Sequence, residues 1–254
     1  MAQDEAPQAS TMRSLERALD VLAVLQRKRG TMRLTEIANE SGLHLATVQR
    51  ILAVLVQRGY INHDGPTYSL GVASLLNAHA FLVSNTLSIV AAPVLQELAQ
   101  SSGLTASLSI RVGFFQVLLL RVEGVQPLRY QLPVGEQLPL HLGGARVLAA
   151  AMPEVELDEM LRSVGVVRLA SGEELSAEEF KATLRTIAAE GFAYGVSQRE
   201  MGAASIAVPI TGTQGEVLAS LQLSGLAEDF DPARTQWYVS ELARASAAVA
   251  RRIP

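Results

Sequence analysis

The chain has 254 residues, of which 49% are hydrophobic and 18% are charged, and its net charge at pH 7 is −4. This composition excludes an intrinsically disordered chain and allows one large domain or two ordinary ones. The absence of cysteine excludes disulfide frameworks, cysteine-ligated zinc sites and thiol nucleophiles.

The first residues, MAQDEAPQAS, are acidic and polar, whereas a secretory signal is basic and then apolar. No apolar run reaches the roughly 20 residues of a membrane span. We therefore expect a cytoplasmic protein with no membrane partner. Residues 1–12 lack apolar periodicity, which predicts a disordered tail.

The sequence pattern of residues 13–72 predicts three helices followed by a hairpin. The first helix begins at Ser14, has one apolar face and ends at Gly30. The second helix is predicted at 35–41 and the third at 44–58, and a glycine follows each of them. The segment YINHDGPTYSLGV then places β-favouring residues on both sides of an Asp-Gly-Pro turn, which predicts a short hairpin. This order is typical of a winged helix-turn-helix.

Residues 73–101 are predicted to be helical, with a break near Pro93 and a stop at Gly103, and 73–85 form a linker helix. Beyond it, strand and helix patterns alternate. Strands are predicted at 105–111, 115–122, 127–133, 203–210 and 216–224, and helices near 143–152, 156–164, 176–190 and 231–252. Strands grouped at both ends with helices between them predict an α+β domain around an antiparallel sheet, over 86–254.

Charge is distributed unevenly between these two parts. Residues 13–72 carry eight Lys and Arg against five Asp and Glu, a balance of +3. Residues 73–254 carry thirteen against eighteen, a balance of −5. Because attraction to phosphate is local, the asymmetry favours a basic nucleic-acid-binding module on an acidic body.

The third predicted helix has an apolar stripe and a polar face. The stripe consists of Val48, Ile51, Leu52 and Leu55, which leaves Ala46, Thr47, Gln49 and Arg50 facing outward. Thr and Gln can bond base edges, Arg can bind guanine or phosphate, and a small Ala permits close approach to a groove. His44 opens the helix, where it either donates to a phosphate or faces solvent. An ordinary amphipathic helix would explain the stripe alone, but the order of helices and hairpin favours DNA binding.

Two predicted strands alternate hydroxyl or amide side chains with apolar ones. The polar positions are Thr105, Ser107 and Ser109 in one strand and Ser220, Gln222 and Ser224 in the other. A solvent-exposed strand face and a ligand-lined face are both compatible with this alternation.

Eight segments spread over residues 13–252 form a recognisable pattern. They are SLERALDVLAVL, LTEIANESGL, ATVQRIL, RGYI, YSLG, LPLH, EGFAYG and GAASIAVPITGTQGEVLASLQLSG. In these segments the chain resembles the IclR family of bacterial transcriptional regulators. The resemblance implies a winged helix-turn-helix, a linker helix and a GAF-like effector-binding domain. It also implies double-stranded operator DNA, a small-molecule effector and a second copy of the chain as partners, in a homodimer or a dimer of dimers.

The resemblance places the third helix in the major groove and the wing on the DNA backbone or in the minor groove. It assigns base recognition to Thr47, Gln49 and Arg50. Phosphate contacts are assigned in the same way to three further residues: Arg13, Arg33 and Ser69. Repression is the commoner behaviour in the family, so we expect a repressor, with an activator of the same architecture as the alternative.

For the second domain the resemblance implies a cup between the sheet and a loop-helix cap. The implied lining is Ser107, Ser109, Tyr130, Leu142, Gly143, Gly144, Ala145, Ser205, Ser220, Gln222 and Ser224. Backbone N–H groups at the start of the cap helix suit a carboxylate or another acceptor. The segment between His141 and Arg146 is one residue shorter than the usual family pattern.

Two departures from the family concern the chemistry of this cup. Gly195–Gln198 replaces an acidic run of many relatives, and Ser205 replaces a cysteine. Apolar residues are nearby in sequence: Phe114, Leu128, Tyr130, Leu132 and Met201. With fewer fixed charges, we expect an aromatic or weakly charged effector in preference to a small keto acid.

Two other protein classes are compatible with parts of the sequence. A hydrolase with a DNA-binding appendage is disfavoured, because G-x-S-x-G, G-x-G-x-x-G, Walker A and H-E-x-x-H motifs are missing and the four histidines lack metal-ligand spacing. No catalytic residue, cofactor or metal is therefore expected. A module that only dimerises fits the apolar spacing of the helix at 73–92, which a regulator would show equally.

Overall fold

The computed structural model of the chain describes residues 6–28, 30–125 and 132–253, and residues 6–11 by their backbone only. The chain divides into two compact units, Met1–Val83 and Ser84–Pro254.

The first unit is a winged helix-turn-helix, as predicted. Its elements in chain order are α1 (Ala6–Lys28), β1 (Met32–Arg33), α2 (Leu34–Ser41), α3 (Leu45–Gln57), β2 (Ile61–Asp64), β3 (Thr67–Leu70) and α4 (Val72–Ser84). Strand β3 pairs with both β1 and β2, so the wing hairpin is joined to the start of α2. Strand β1 has two residues, too few to show a period in the sequence.

Helix α1 begins at Ala6, so the prediction of a disordered tail over 1–12 is wrong for residues 6–12. Residues 1–5 of that tail lie outside the described residues. The absence of an apolar period at 6–12 does not prevent a helix, because no glycine interrupts the segment. Pro7 stands in the first turn, where its missing N–H has no intrahelical acceptor to lose.

Aliphatic side chains fix the three helices of the first unit against one another. Val21 and Leu25 of α1, Ile37 of α2, and Val48 and Leu52 of α3 are each at most 1% exposed. Burial of each such side chain stabilises the fold by about 1.5–3 kcal/mol. The apolar stripe of α3 is therefore used by the core, and its polar face points away from it.

The second unit is α+β with an antiparallel sheet, as predicted. Its helices are α5 (Thr86–Ser102), α6 (Arg146–Ala149), α7 (Glu154–Val164), α8 (Ala177–Glu190) and α9 (Pro232–Ala250). Its strands are β4 (Thr105–Val112), β5 (Phe115–Val122), β6 (Gln137–Pro139), β7 (Val167–Arg168), β8 (Glu174–Leu175), β9 (Ala193–Val196), β10 (Ala203–Thr211) and β11 (Val217–Leu226). The main sheet has the order β6-β5-β4-β11-β10-β9, and β7 pairs with β8. A 3₁₀ turn at Gly143–Ala145 leads into α6.

The strand predicted at 127–133 is not observed in its described part. Residues 126–131 lie outside the described residues, and Leu132 and Pro133 are not in a strand. The sheet edge is formed instead by β6, in which Leu138 pairs with Gln116 of β5. Strands β6 to β9 have two to four residues each, too few for alternation to be read from the sequence.

The helical segment after the wing breaks at Asn85 and not near Pro93, which corrects the predicted break. Asn85 caps α5 by accepting the Ser88 backbone N–H at 2.9 Å. Pro93 lies inside α5. The carbonyl that it leaves without a helical donor is that of Ile89, which is 55% exposed and therefore open to water.

Both faces of the main sheet are covered. On one face α5 and α9 pack on aliphatic residues of the central strands, including Leu108, Ile206 and Leu221, which are fully buried. On the other face α6, α7 and α8 form a second core with Leu140 and Phe180. The second face therefore lies under helices and not in solvent.

Among the described residues no single helix is long and apolar enough to span a membrane, and one bent pair, α4 with α5, passes that test only jointly.

Gly71→Ala tests the base of the wing. The new Cβ would overlap the Gly59 carbonyl and lie about 3.0 Å from the Ile61 nitrogen, and neither backbone group can rotate away. We expect the first unit to lose about 2–3 kcal/mol of unfolding free energy. Urea unfolding followed by circular dichroism measures this loss.

Gly30→Ala is the matched control, because its new Cβ would meet only the Lys28 carbonyl, at 3.9 Å. Fluorescence of Trp237, the only tryptophan in the chain, reports on the second unit. Equal effects of the two substitutions, or a loss seen only in the Trp237 transition, would contradict this explanation.

Candidate functional site

The start of α3 presents most of the residues predicted to contact DNA. Ala46, Gln49 and Arg50 are exposed and Thr47 is half-buried. His44 is the N-cap residue in extended conformation, but its exposed imidazole makes no capping hydrogen bond. The first-turn N–H groups of α3 are therefore free of a side-chain cap, which suits an anion such as phosphate.

A glycine turn sets the position of α3 relative to α2. Gly42 adopts a left-handed conformation, with φ of 66°. The turn is closed by the Leu43 backbone N–H, which donates to the Ala38 carbonyl at 3.2 Å. A left-handed residue is needed here to end α2 and redirect the chain, and glycine adopts it without strain.

A groove of about 500 Å³ lies between α1 and the polar side of α3. Thr47 and Arg50 line it from α3, and Ser14 and Arg17 line it from α1. The Arg50 Nε donates to the Ala46 carbonyl at 3.3 Å, which turns the guanidinium along its own helix. Arg17 was not predicted as a functional residue, because the sequence pattern does not show which α1 residues face α3.

The three predicted phosphate contacts lie on three different elements. Arg13 is exposed on α1, and Ser69 is half-buried on β3 opposite Asn62. Arg33 precedes α2, where its backbone N–H donates to the Glu36 carboxylate at 2.6 Å and its side chain is exposed.

The alternating strands of the second unit bury their polar face. Ser107 and Ser109 are 8% and 7% exposed, Ser220 is 1% exposed and Gln222 is 9% exposed. Register places Ser107 directly opposite Gln222, and Ser109 directly opposite Ser220. The two strands thus share one hydroxyl-bearing face, and this face lies under the second core. A solvent-exposed face, the alternative left open by the sequence, is excluded for these residues.

The turn Gly143–Ala145 lies directly on this face. A Cβ on Gly144 would overlap the Gln222 carboxamide and lie 2.8 Å from the Ala207 Cβ. Ala145 is fully buried in the second core, and Leu142 is half-buried. Glycine at position 144 is therefore required for the cap to approach the strands this closely.

Arg146 fastens the turn to the edge strand β9. It is 5% exposed, and its Nε donates to the Gly143 carbonyl at 3.1 Å while its Nη2 donates to the Tyr194 carbonyl at 2.7 Å. Burial lowers the pKa of Arg146 to about 10. The guanidinium thus remains charged at neutral pH and holds two backbone segments together.

A cavity of about 30 Å³ lies between the turn and the strands. Five predicted residues line it: Gly143, Gly144, Ser205, Gln222 and Ser224. Ser107, Ser109 and Ser220 lie on the same sheet face but not in the lining, and Tyr130 lies outside the described residues. Leu142 and Ala145 flank the lining residues of the turn.

The loop between β9 and β10 contributes Gln198, which was expected near the cup, and Arg199 and Glu200, which the sequence did not indicate. A guanidinium and a carboxylate therefore line the cavity. Met201, which was expected to add apolar surface, is 65% exposed and is not in the lining.

Gln198 accepts the backbone hydrogen bond that Gly143 donates at the start of the turn. Its Oε1 accepts the Gly143 backbone N–H at 3.1 Å. Its carboxamide also fills the space that a side chain at Gly195 would take. Gln198 therefore holds the position in which the sequence predicted an effector group.

Among the described residues no cluster of three or more His, Asp or Glu side chains could hold a metal ion.

Comparison with known proteins matches both units. The model of the IclR helix-turn-helix domain matches residues 14–65, and the model of the bacterial transcriptional regulator IclR C-terminal domain matches residues 79–251. The chain belongs to the IclR family of transcriptional regulators. IclR-family proteins are regulators and not enzymes, so the prediction of a DNA-binding regulator is confirmed and the hydrolase alternative is rejected.

Individual IclR-type proteins are similar along most of the chain. The Pca regulon regulatory protein of Pseudomonas putida is 32% identical over 215 residues, which cover 84% of this chain and 74% of that protein. An IclR regulator of Alicyclobacillus acidocaldarius has the same fold, with a TM-score of 0.81 at 23% identity, over 94% of this chain and 98% of that one. An IclR homolog from Microbacterium hydrocarbonoxydans, solved with 4-hydroxybenzoate, has a TM-score of 0.77 at 21% identity, over 94% and 98% of the two chains.

Acidification tests the environment of His141, which precedes the glycine turn. Burial lowers its pKa below the ordinary 6.5, so the folded second unit favours the neutral imidazole. As the pH falls through 6.5, the unfolded chain takes up the proton first, and the stability of the fold decreases. We expect His141→Gln to reduce the loss of stability between pH 7.5 and 5.5.

Urea unfolding followed by Trp237 fluorescence measures this difference at both pH values. Carboxylates such as Glu179, whose pKa is lowered by hydrogen bonds from Ser176, also lose stabilising contacts in acid. They do so equally in both proteins, so the difference between wild type and variant isolates His141. An identical pH dependence of the two proteins would contradict the role of His141.

Proposed function

We propose that this IclR-family chain is a homodimeric repressor whose affinity for operator DNA is controlled by a small aromatic effector bound between the Gly143–Ala145 turn and the sheet. The observation that carries the proposal is the buried hydroxyl-bearing face with a cavity beneath the turn. The proposal joins the known class of the protein to this site.

Burial of polar side chains supports a ligand site. A buried hydroxyl without a partner costs about 1–3 kcal/mol. Within the described ranges, Ser220 Oγ and Thr105 Oγ1 are two such groups. Apolar residues at these positions would stabilise the sheet without this cost. Retention of hydroxyls on a covered face is therefore expected where a bound molecule supplies the missing partners.

The size of the cavity determines how an effector would enter. About 30 Å³ holds one or two water molecules, whereas pockets for small ligands measure roughly 300–1,000 Å³. An effector must therefore displace a side chain. Gln198 is the one that occupies the Gly143 N–H, and its release would free that donor and the space above Gly195.

One solved relative makes an aromatic molecule the first choice for testing. The homolog solved with 4-hydroxybenzoate has the same fold as this chain. Arg199 and Glu200 in the lining favour an effector with polar substituents over a purely apolar one.

On the DNA side, α3 is proposed to read bases through Thr47, Gln49 and Arg50. Ala46 allows the helix to approach the groove floor. Phosphates are proposed to contact the start of α3 at His44, and further residues on α1, before α2 and on the wing: Arg13, Arg33 and Ser69. These elements belong to the same compact unit as α3, so phosphate contacts from them would fix the orientation of that helix on the duplex.

Helix α4 supports self-association. Four large apolar side chains on one face of the helix are exposed, each by 57–67%: Val72, Leu75, Leu76 and Val83. A contiguous apolar helix face of this kind is stabilised by packing on a second copy. A homodimer, or a dimer of dimers, would present two α3 helices to half-sites about one helical turn apart. An effector that prefers one dimer geometry then changes DNA affinity.

Arg50→Ala tests base reading by α3. We expect operator affinity to fall by about 1–3 kcal/mol, the worth of a bidentate base contact. Fluorescence anisotropy with an operator selected from random duplexes measures the loss. Arg162→Ala, which removes an exposed arginine of α7 in the second unit, is the matched control. Equal losses on operator and on unrelated duplex would contradict a base contact.

Addition of 4-hydroxybenzoate to the complex of protein and operator tests effector control. We expect release of DNA at ligand concentrations that saturate the protein in calorimetry, because a repressor must bind DNA more weakly with effector. Strengthened DNA binding would instead indicate an activator. Tight binding of pyruvate or glyoxylate, with none of aromatic acids or amides, would contradict the proposed ligand class.

A further inference from the structure

In the described part of the chain, several buried polar atoms on the main sheet have no hydrogen-bond partner. They include Thr105 Oγ1 on β4, Ser220 Oγ on β11 and Arg121 Nε on β5. A guanidinium is the most demanding of the three, because it carries a charge as well as donors. Arg121 Nε is therefore the atom of the three that most needs a hydrogen-bond partner.

Strand register places Arg121 on the same face as the cavity. Arg121 pairs directly with Ser107 of β4, and Ser107 pairs directly with Gln222 of β11. Directly paired residues of antiparallel strands project to the same face of the sheet. Arg121, Ser107 and Gln222 thus form one row across three strands, and Gln222 lines the cavity. At about 4.8 Å between strands, the Cα atoms at the ends of the row are about 10 Å apart.

The charge of Arg121 is incompletely compensated by the protein. Its Nη1 donates to the Leu132 carbonyl at 3.2 Å, and its Nη2 lies 3.9 Å from a Glu123 carboxylate oxygen. That distance is at the limit of an ion pair, and Glu123 is 46% exposed whereas the Arg121 side chain is 11% exposed. Solvent therefore screens the carboxylate more than the guanidinium. Among the residues that the structure describes, the Nε–H finds no acceptor.

The Nε–H side of the Arg121 guanidinium has the geometry that binds carboxylates. A guanidinium presents parallel N–H groups along one edge, and a carboxylate accepts two of them at once. Lysine has no such edge. A ligand carboxylate at Nε would satisfy the orphaned donor and neutralise the buried charge in a single contact.

We propose that Arg121 anchors the carboxylate of the effector, whose ring lies along the row towards the glycine turn. This rests on the proposed effector site beneath Gly143–Ala145. Ser107 and Gln222 then contact the body of the ligand, and a hydroxyl oxygen at its far end accepts the Gly143 N–H that Gln198 now occupies. The ligand class is an aromatic carboxylate with a polar group opposite the acid.

Calorimetry with the full-length protein tests the anchor. The probes are 4-hydroxybenzoate and its amide, 4-hydroxybenzamide, which share shape and differ in charge. Wild type should bind the acid at least tenfold more tightly than the amide. Arg121→Met, which keeps the stem and removes the charge, should weaken acid binding at least tenfold and change amide binding less than twofold. Arg121→Lys should restore only part of the affinity for the acid.

Arg111→Met is the matched control, because it removes an exposed arginine of β4 on the same sheet and should leave both affinities unchanged. Equal affinities of wild type for acid and amide would overturn the proposal, and this measurement does not depend on the folding of any variant. Equal losses of acid and amide in Arg121→Met would show a structural role and overturn it too. So would the absence of acid binding to wild type.

No DNA is present in these titrations. Failure of 4-hydroxybenzoate to release the operator would therefore contradict the proposed repressor function and leave the contrast between acid and amide standing. Loss of that contrast would overturn the anchor while operator release could still be observed.

Discussion

Close approach of the Gly143–Ala145 turn to strands β10 and β11 is the contact on which the second unit depends. Gly144 leaves no room for a Cβ against Gln222, and Arg146 holds the turn to β9 through two backbone carbonyls. This contact covers a face that alternation alone would assign to solvent. Because the face is polar and covered, some of its donors and acceptors lack hydrogen-bond partners among the described residues. A bound molecule would supply such partners.

The same contact determines how the site would respond to a bound ligand. Gln198 satisfies the Gly143 N–H from within the chain, so a ligand gains only the difference between its own hydrogen bond and that of the carboxamide. Selectivity would then have to come from other groups on the face, among them Arg121 and Ser107 of the row. A conformational response follows if displacement of Gln198 moves the β9–β10 loop, because a ligand shifts only equilibria whose states it binds unequally.

Local signals in the sequence predicted most of the fold. Gly42, Gly59 and Gly103 end helices or turns where expected, and the wing follows from the Asp-Gly-Pro turn. The position of the helix break was mispredicted. The break lies at Asn85 and not near Pro93, because the carbonyl that the proline leaves without a donor is exposed to solvent. The turn and strand residues of the cavity were predicted from family resemblance. The loop residues Arg199 and Glu200 were not, because loop side chains reach a cavity through a backbone path that no periodicity encodes.

Two arginines lie inside the second unit although the unit as a whole is acidic. Residues 73–254 carry a balance of −5, yet Arg146 is 5% exposed and the Arg121 side chain is 11% exposed. Even with its pKa lowered to about 10, Arg146 stays protonated at neutral pH, and its guanidinium donates to two backbone carbonyls. A covered site with fixed positive charge attracts an anion although the surface of the unit repels it. The charge of a ligand that would fit this face therefore follows from residues inside the fold and not from the net charge of the unit.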